Sequence, residues 1–299
     1  MSLVDAAIVR LLPAVPRPVV RKISERYIAG EELDDALRLV RLLNDQGKLA
    51  TIDVLGEEIA EPDEARAIAG AYREAFEAIE RGRLDSNVSI KPTALGLKLG
   101  YDLFRSNLVD VVSDAARRGN FVRIDMEDNT TTDATLRIYR ELHGRLGNLG
   151  CVLQAYMRRT LRDIDELPAE KPSVRLCKGI YVEPRKIAWK GYDTVRANYV
   201  AALEKLLVRG IYVGIATHDE YLAAQAVALV DKHGVERDRY EFQMLLGVDD
   251  ELRRILVAGG HRLRVYVPYG RDWYPYSMRR LRENPEVARH VLRALISGR

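Results

Sequence analysis

The chain has 299 residues, 47% hydrophobic and 30% charged, with a formal charge of +3. That length carries one large α/β domain or two small ones, and the weak positive balance, with no block of like charge, does not favour nucleic acid as a main partner. Two cysteines, Cys151 and Cys177, are too few for a disulfide framework, and their spacing suits no metal motif, which fits a reducing cytoplasm.

The chain begins MSLVDAAIVRLLPAVPRPVVRK. An early acid, Asp5, and the breaks at Pro13 and Pro16 argue against a signal peptide. The stretch reads as a short amphipathic helix packed on the main domain, with a membrane contact as the less favoured reading. No apolar run reaches membrane-spanning length. Residues 1–48 read as a helical extension, in which Leu33, Leu37, Val40 and Leu43 fall at helical spacing and Gly47 supplies a stop.

An alternation of strands and helices follows. The strand candidates are 49–54, 86–91, 121–126, 151–156, 173–178, 211–216, 239–244 and 263–268. EPDEARAIAGAYREAFEAIERG and DTVRANYVAALEKLLVRG are the clearest intervening helices, each opening on acids and closing on a glycine. Eight such units predict one (β/α)8 barrel over 49–299. A doubly wound open sheet is the alternative, but no G-x-G-x-x-G turn is present.

One alternating face of these strands is polar: Asp53, Lys91, Arg123, Asp125, Arg175, Glu241, Gln243, Arg264 and Tyr266. The other is apolar, with Val88, Ile90, Val122, Ile124, Val174, Leu176, Val265 and Val267. An ordinary barrel fills its interior with branched apolar side chains, so a charged lumen calls for polar contents. Its lower layer, Asp53, Arg123, Glu241 and Arg264, is expected to form mutual ion pairs.

Barrel sites lie at the C-terminal strand ends. Those ends carry Lys91, Asp125, Gln154, Arg175, Lys178, Thr217, His218, Asp219, Gln243 and Tyr266. Any one of them alone is read as bonding loop backbone; their coincidence on six or more strands points to a site. DMED at 125–128 offers three acids but no nearby histidine, so ion pairing to Lys91 or Arg175 is preferred over metal ligation. His218 either bonds its loop or meets an anion at a helix start. His143, His233, His261 and His290 read as surface residues. In YGRDWYPYSMRRLRENP, the Arg279–Arg280 pair follows the last strand and is suited to gripping a carboxylate, with tyrosines as flat walls.

The ordered series VSIKPTALG, RIDMED, VLQAYMRRT, RLCKGIY, ATHD, YEFQMLLG, RVYVPYG and YSMRRLREN resembles the monofunctional bacterial proline dehydrogenases across nearly the whole barrel. The resemblance implies a distorted (β/α)8 TIM barrel that binds FAD at its strand ends and oxidises L-proline to Δ1-pyrroline-5-carboxylate. By the same likeness, Asp125 and Arg175 are catalytic, and Lys91, Tyr266, Tyr276, Arg279 and Arg280 bind substrate. Met126, Gln154, Arg175, Lys178, Gly179, Ile180, Thr217 and His218 contact flavin. Glu57 is the gate partner of Arg279, and no metal is implied.

The implied partners are L-proline, a quinone or other electron acceptor, a transient membrane surface at the inner face of the cell membrane, and a separate pyrroline-5-carboxylate dehydrogenase. A cytoplasmic location goes with these. Val182 stands where larger bifunctional relatives carry Trp, and ATHD replaces their Asn-ending triplet. The chain ends after the barrel, so a fused aldehyde dehydrogenase module is expected to be absent. Two other classes stay open: a Schiff-base enzyme using Lys91 or Lys178, and a flavin-binding barrel without turnover.

Overall fold

The computed structural model describes residues 16–56 and 59–283; of residues 23 and 279–283 only the backbone is described. Eight parallel strands close into a barrel in sequence order: β1 (Leu49–Val54), β2 (Ser86–Ile90), β3 (Val122–Ile124), β4 (Leu149–Gln154), β5 (Ser173–Cys177), β6 (Tyr212–Ala216), β7 (Tyr240–Leu245) and β8 (Leu263–Tyr269). The ring is sealed by β1 against β8, from Leu49 opposite Arg264 to Val54 opposite Tyr269.

The helices are α1 (Arg17–Ser24), α2 (Leu33–Asp45), α3 (Pro62–Gly82), α4 (Tyr101–Arg117), α5 (Asn129–Leu146), α6 (Thr160–Asp165), α7 (Tyr192–Val208), α8 (Glu220–Lys232), α9 (Asp250–Ala258) and α10 (Trp273–Glu283). Local chemistry sets several ends. Pro62 opens α3 behind a reciprocal cap between Glu61 and Glu64, and Asp128 caps α5 by accepting from the Thr130 amide.

The two strand faces behave as the alternation requires. Val88, Ile90, Val122, Ile124, Val174, Leu176, Val265 and Val267 are fully buried in the main apolar core. Each such aliphatic contributes roughly 1.5–3 kcal/mol by leaving water. The polar face turns inward, where Thr51 meets Ser89 and Arg175 reaches Ser89 and Gln243 across the lumen.

The barrel departs from regularity at its seam. α2 packs on β8 and β1, burying Ala36, Val40 and Leu43; in a regular barrel the helix following β8 covers that position. The last helix, α10, packs instead on α1, and its Tyr276 joins Tyr27, Ile28 and Leu55 in a small cluster. The chain turns into it at Gly270, whose φ of +136° is closed to most side chains.

Several local expectations are corrected. β3 is shorter than 121–126, so Asp125 and Met126 lie just past its end, although the Asp125 amide still bonds the Ile90 carbonyl at 2.8 Å. β4 begins two positions before 151, at Leu149. His143 is buried, not on the surface: it lies in the inward stripe of α5 beside Tyr139, and its Nε2 meets the Glu170 carbonyl oxygen at 2.6 Å.

The lower lumen layer forms one internal pair, not a mutual set. Glu241 and Arg264 pair at 2.6 Å, whereas Asp53 takes Lys91 at 2.6 Å. Arg123 donates to the carbonyls of Cys151 and Ser173 and to the Ser173 hydroxyl, each at 2.8 Å. Gly150 makes the space: a Cβ there would lie 2.4 Å from the Arg123 guanidinium.

Candidate active site

The densest polar arrangement at the mouth is centred on Arg175, in β5. Its Nη1 pairs with Asp125 at 2.6 Å, Nη2 donates to the Ser89 hydroxyl at 3.0 Å, and Nε donates to the Gln243 side-chain oxygen. Tyr266, from β8, donates its hydroxyl to the other Asp125 oxygen at 3.0 Å. Its ring lies 5.4 Å from the Arg175 guanidinium carbon. Burial and the nearby Asp125 and Asp53 charges push the Tyr266 hydroxyl well above its ordinary range, so it is a donor at neutral pH.

Four strands thus bring Ser89, Arg175, Gln243 and Tyr266 together with Asp125, which follows β3. Lys91, just past β2, bonds both Asp53 oxygens at 2.6 Å. Of the other DMED acids, Glu127 accepts from the Thr93 amide and hydroxyl, and Asp128 caps α5.

A second polar group surrounds Asp219, which precedes α8. Lys178 reaches its carboxylate at 3.0 Å, Arg196 at 2.6 Å, and Tyr192 donates to it at 3.0 Å. Burial pushes this carboxyl up, but the bonds from Arg196 and Lys178 outweigh it and hold the group well below the usual carboxylate range. Arg196 lies 4.3 Å from the Tyr192 ring centroid and 4.8 Å from that of Tyr221. Thr217 accepts the Asp219 amide, and His218 Nε2 accepts the Leu245 amide at 2.8 Å. His218 thus accepts from the end of β7.

Between these groups lie surfaces with an incomplete set of partners. Gln154 donates to the Glu127 carbonyl at 2.9 Å, while its buried Oε1 has no hydrogen-bond partner. Gly179 adopts φ +108°, and a Cβ there would sit 2.2 Å from the Tyr156 ring. Ile180 is 43% exposed and Val182 is 99% exposed, whereas Met126 is buried in the core.

Tyr276 is buried at the mouth beside Leu55. Arg279 and Arg280 fall on α10, but their side chains lie outside the described residues, as does the whole of Glu57. Sequence reasoning missed Ser89, Arg196 and the gathering role of Asp219. Ser89 carried a signal, since it shares the inward period of Lys91; Arg196, inside a helical run, carried none.

The fold is a closed parallel barrel with a polar lumen, a class whose enzymes carry their sites at the C-terminal strand ends. The family model described as Proline dehydrogenase matches residues 36–293. The chain is 37% identical over 273 residues to Proline dehydrogenase 1 of Bacillus subtilis (strain 168), covering 91% of this chain and 90% of that one. It is 37% identical over 281 residues to Proline dehydrogenase of Deinococcus radiodurans, covering 92% and 91% respectively.

Among solved structures, proline utilization A from Bdellovibrio bacteriovorus, inactivated by N-propargylglycine, superposes with a TM-score of 0.83 at 25% identity. That match covers 89% of this chain and 33% of the other, so the chain spans about a third of that larger protein. The chain belongs to the proline dehydrogenase family, an oxidoreductase class.

Proposed function

We propose that the chain oxidises L-proline to Δ1-pyrroline-5-carboxylate, using FAD held at the strand ends. The observation that carries this reading is the Arg175 assembly, a buried guanidinium positioned from three sides beneath the mouth. Arg175 would provide positive charge against the reduced, anionic flavin ring. The mouth suits such a cofactor chemically. The unpartnered Gln154 oxygen can accept a ring N–H, and the partly exposed Lys178 supplies a cation for a phosphate. Met126, Ile180, Thr217 and His218 complete the proposed cofactor wall.

When bound, FAD would supply the acceptor for the hydride leaving proline C5, with a quinone as the final acceptor of the electrons. The chain's own residues bind and orient the substrate. Arg279 and Arg280 hold the carboxylate, and Tyr266 and Tyr276 wall the ring. The Lys91–Asp53 and Arg175–Asp125 pairs form a polar floor. This converts an encounter into an oriented unimolecular step. The substrate amine gives up one proton to solvent, and the freed nitrogen lone pair forms the C=N bond as the C5–H bond breaks, leaving the protonated imine. Glu57 pairs with Arg279 when substrate is bound and shuts out water.

The Schiff-base alternative has less support, because Lys91 and Lys178 are each committed to a carboxylate. Quinone encounter implies a cytoplasmic enzyme that visits the inner membrane surface, with a separate pyrroline-5-carboxylate dehydrogenase taking the product. None of the described helices is long and apolar enough to cross a membrane. The visible spectrum tests the reading: the purified protein should be yellow or load with FAD, and bleach anaerobically on adding L-proline. A protein that cannot take up FAD, or one whose bound flavin stays oxidised with proline, overturns it.

A further inference from the structure

We infer that Glu241 and Gln243 are positioning residues that set the plane of Arg175 from below, through a hydrogen-bonded relay running up the barrel lumen. The inference deepens the proposed role of Arg175 at the flavin and rests on that reading.

The relay begins with Arg264, which donates through Nε and Nη2 to the two Glu241 oxygens at 2.6 and 3.0 Å. Its Nη1 donates to the Ala50 carbonyl at 2.5 Å, anchoring it to β1. Glu241 accepts from the Gln243 amide at 2.5 Å, and the oxygen of that amide accepts from Arg175 Nε. All four side chains are buried or nearly so.

The order of donors and acceptors admits one arrangement. A guanidinium only donates, and an ionised carboxylate only accepts. A primary amide between them satisfies both neighbours in a single orientation. Flipped, it would aim N–H at the Arg175 N–H and its oxygen at the carboxylate, two buried conflicts. Glu241 thus selects the amide orientation, and the amide presents its oxygen to Arg175. Burial pushes the Glu241 carboxyl up, but Arg264 and the bonds from Gln243 and Tyr212 outweigh it and hold it at about 2, so the relay keeps its polarity throughout the neutral range.

The Nε contact complements the two above it. Asp125 holds Nη1, and Ser89 holds Nη2 on the guanidinium edge that Nε shares with Gln243. Without that third bond the head group can pivot about the Asp125 pair. The packing leaves the amide little freedom: a Cβ on Gly214 would lie 2.4 Å from Gln243 Nε2 and 2.7 Å from its Cδ. Gly214 carries no polar side chain and belongs to neither proposed binding surface, so a methyl there presses on the amide without altering any charge.

The test uses the full-length, FAD-loaded protein and two variants. Gly214→Ala displaces the amide without changing any charge. Glu241→Gln combined with Arg264→Gln removes both charges of the pair together, so neither is left buried alone. Each should lower kcat by about tenfold to a hundredfold, leave KM for proline within about twofold, and make the bound flavin's midpoint potential more negative. Wild-type kcat and potential in both variants would overturn the relay. So would kcat, KM and thermal stability falling together with an unmoved potential, the signature of a merely structural role. The wild-type control separates the two readings: if it binds FAD and bleaches with proline while the variants match it, only the relay fails. If wild type does neither, the flavin reading falls and takes the relay with it.

Discussion

The floor and the mouth of this barrel use the same residue types to opposite ends. At the floor, Arg123 and Arg264 give N–H donors to carbonyls, a hydroxyl or Glu241, and their side chains are almost wholly enclosed. At the mouth, Lys178 keeps 34% of its side chain exposed. Charge enclosed on all sides costs desolvation and must be answered within the protein. Charge left partly open can be answered by a ligand. Sequence alternation marks both layers as polar, and only the partner list separates support from site.

Changes at the two levels should therefore fail differently. The largest effect is expected from Arg175→Met, which should lower the rate of flavin reduction by proline by about 10²–10³ while the protein still folds. A rate near wild type in stopped-flow measurement would erase the distinction between the levels.

The next effect is on stability. The Glu241 carboxyl, ordinarily near 4.5, is held at about 2 in the fold. A depressed folded value means that its contribution, about 3 kcal/mol, is present above pH ~4.5 and lost as pH falls toward ~2. Unfolding followed against pH should show that acid limb, and the Glu241→Gln, Arg264→Gln double variant should flatten it.

Gly150→Ala probes the floor without touching charge. Its methyl would meet the Arg123 guanidinium at 2.4 Å and the Ser173 carbonyl oxygen at 2.5 Å. The expected cost is about 1–3 kcal/mol of stability in denaturant unfolding, with kcat per folded molecule unchanged. Arg279→Lys, at the mouth, should raise KM for proline by about tenfold, since an ammonium cannot reproduce a bidentate grip; an unchanged KM sinks the clamp. The smallest effect serves as a control. Arg105 and Glu141 pair at 2.5 Å on the outer surface, and Arg105→Ala should leave both melting temperature and kcat unmoved.

Much of the candidate site was legible before the fold. Strand period placed Asp125, Arg175, Gln243 and Tyr266 near one end of one lumen, because side chains two apart share a face and parallel strands share a direction. The acids of DMED illustrate what was not legible. Three neighbours in sequence take three partners: Asp125 turns to Arg175, Glu127 to Thr93, and Asp128 to its own helix start. Where β3 stops decides this, and a stop after three residues carries no periodic signal.

By itself the sequence determined the barrel, its eight-fold order, its polar lumen and its apolar outer face, since these follow from local periodicity and the burial of branched side chains. Tertiary structure alone decided who answers each charge. Asp53 goes to Lys91 rather than to its own layer, Arg123 to backbone carbonyls, and Asp219 to two cations from separate segments, Lys178 and Arg196. It also decided that α2 covers the seam and α10 moves to α1 at the mouth. The physical reason is range. Backbone period acts over a few residues, whereas ion pairing and helix docking depend on distances between segments far apart in the chain.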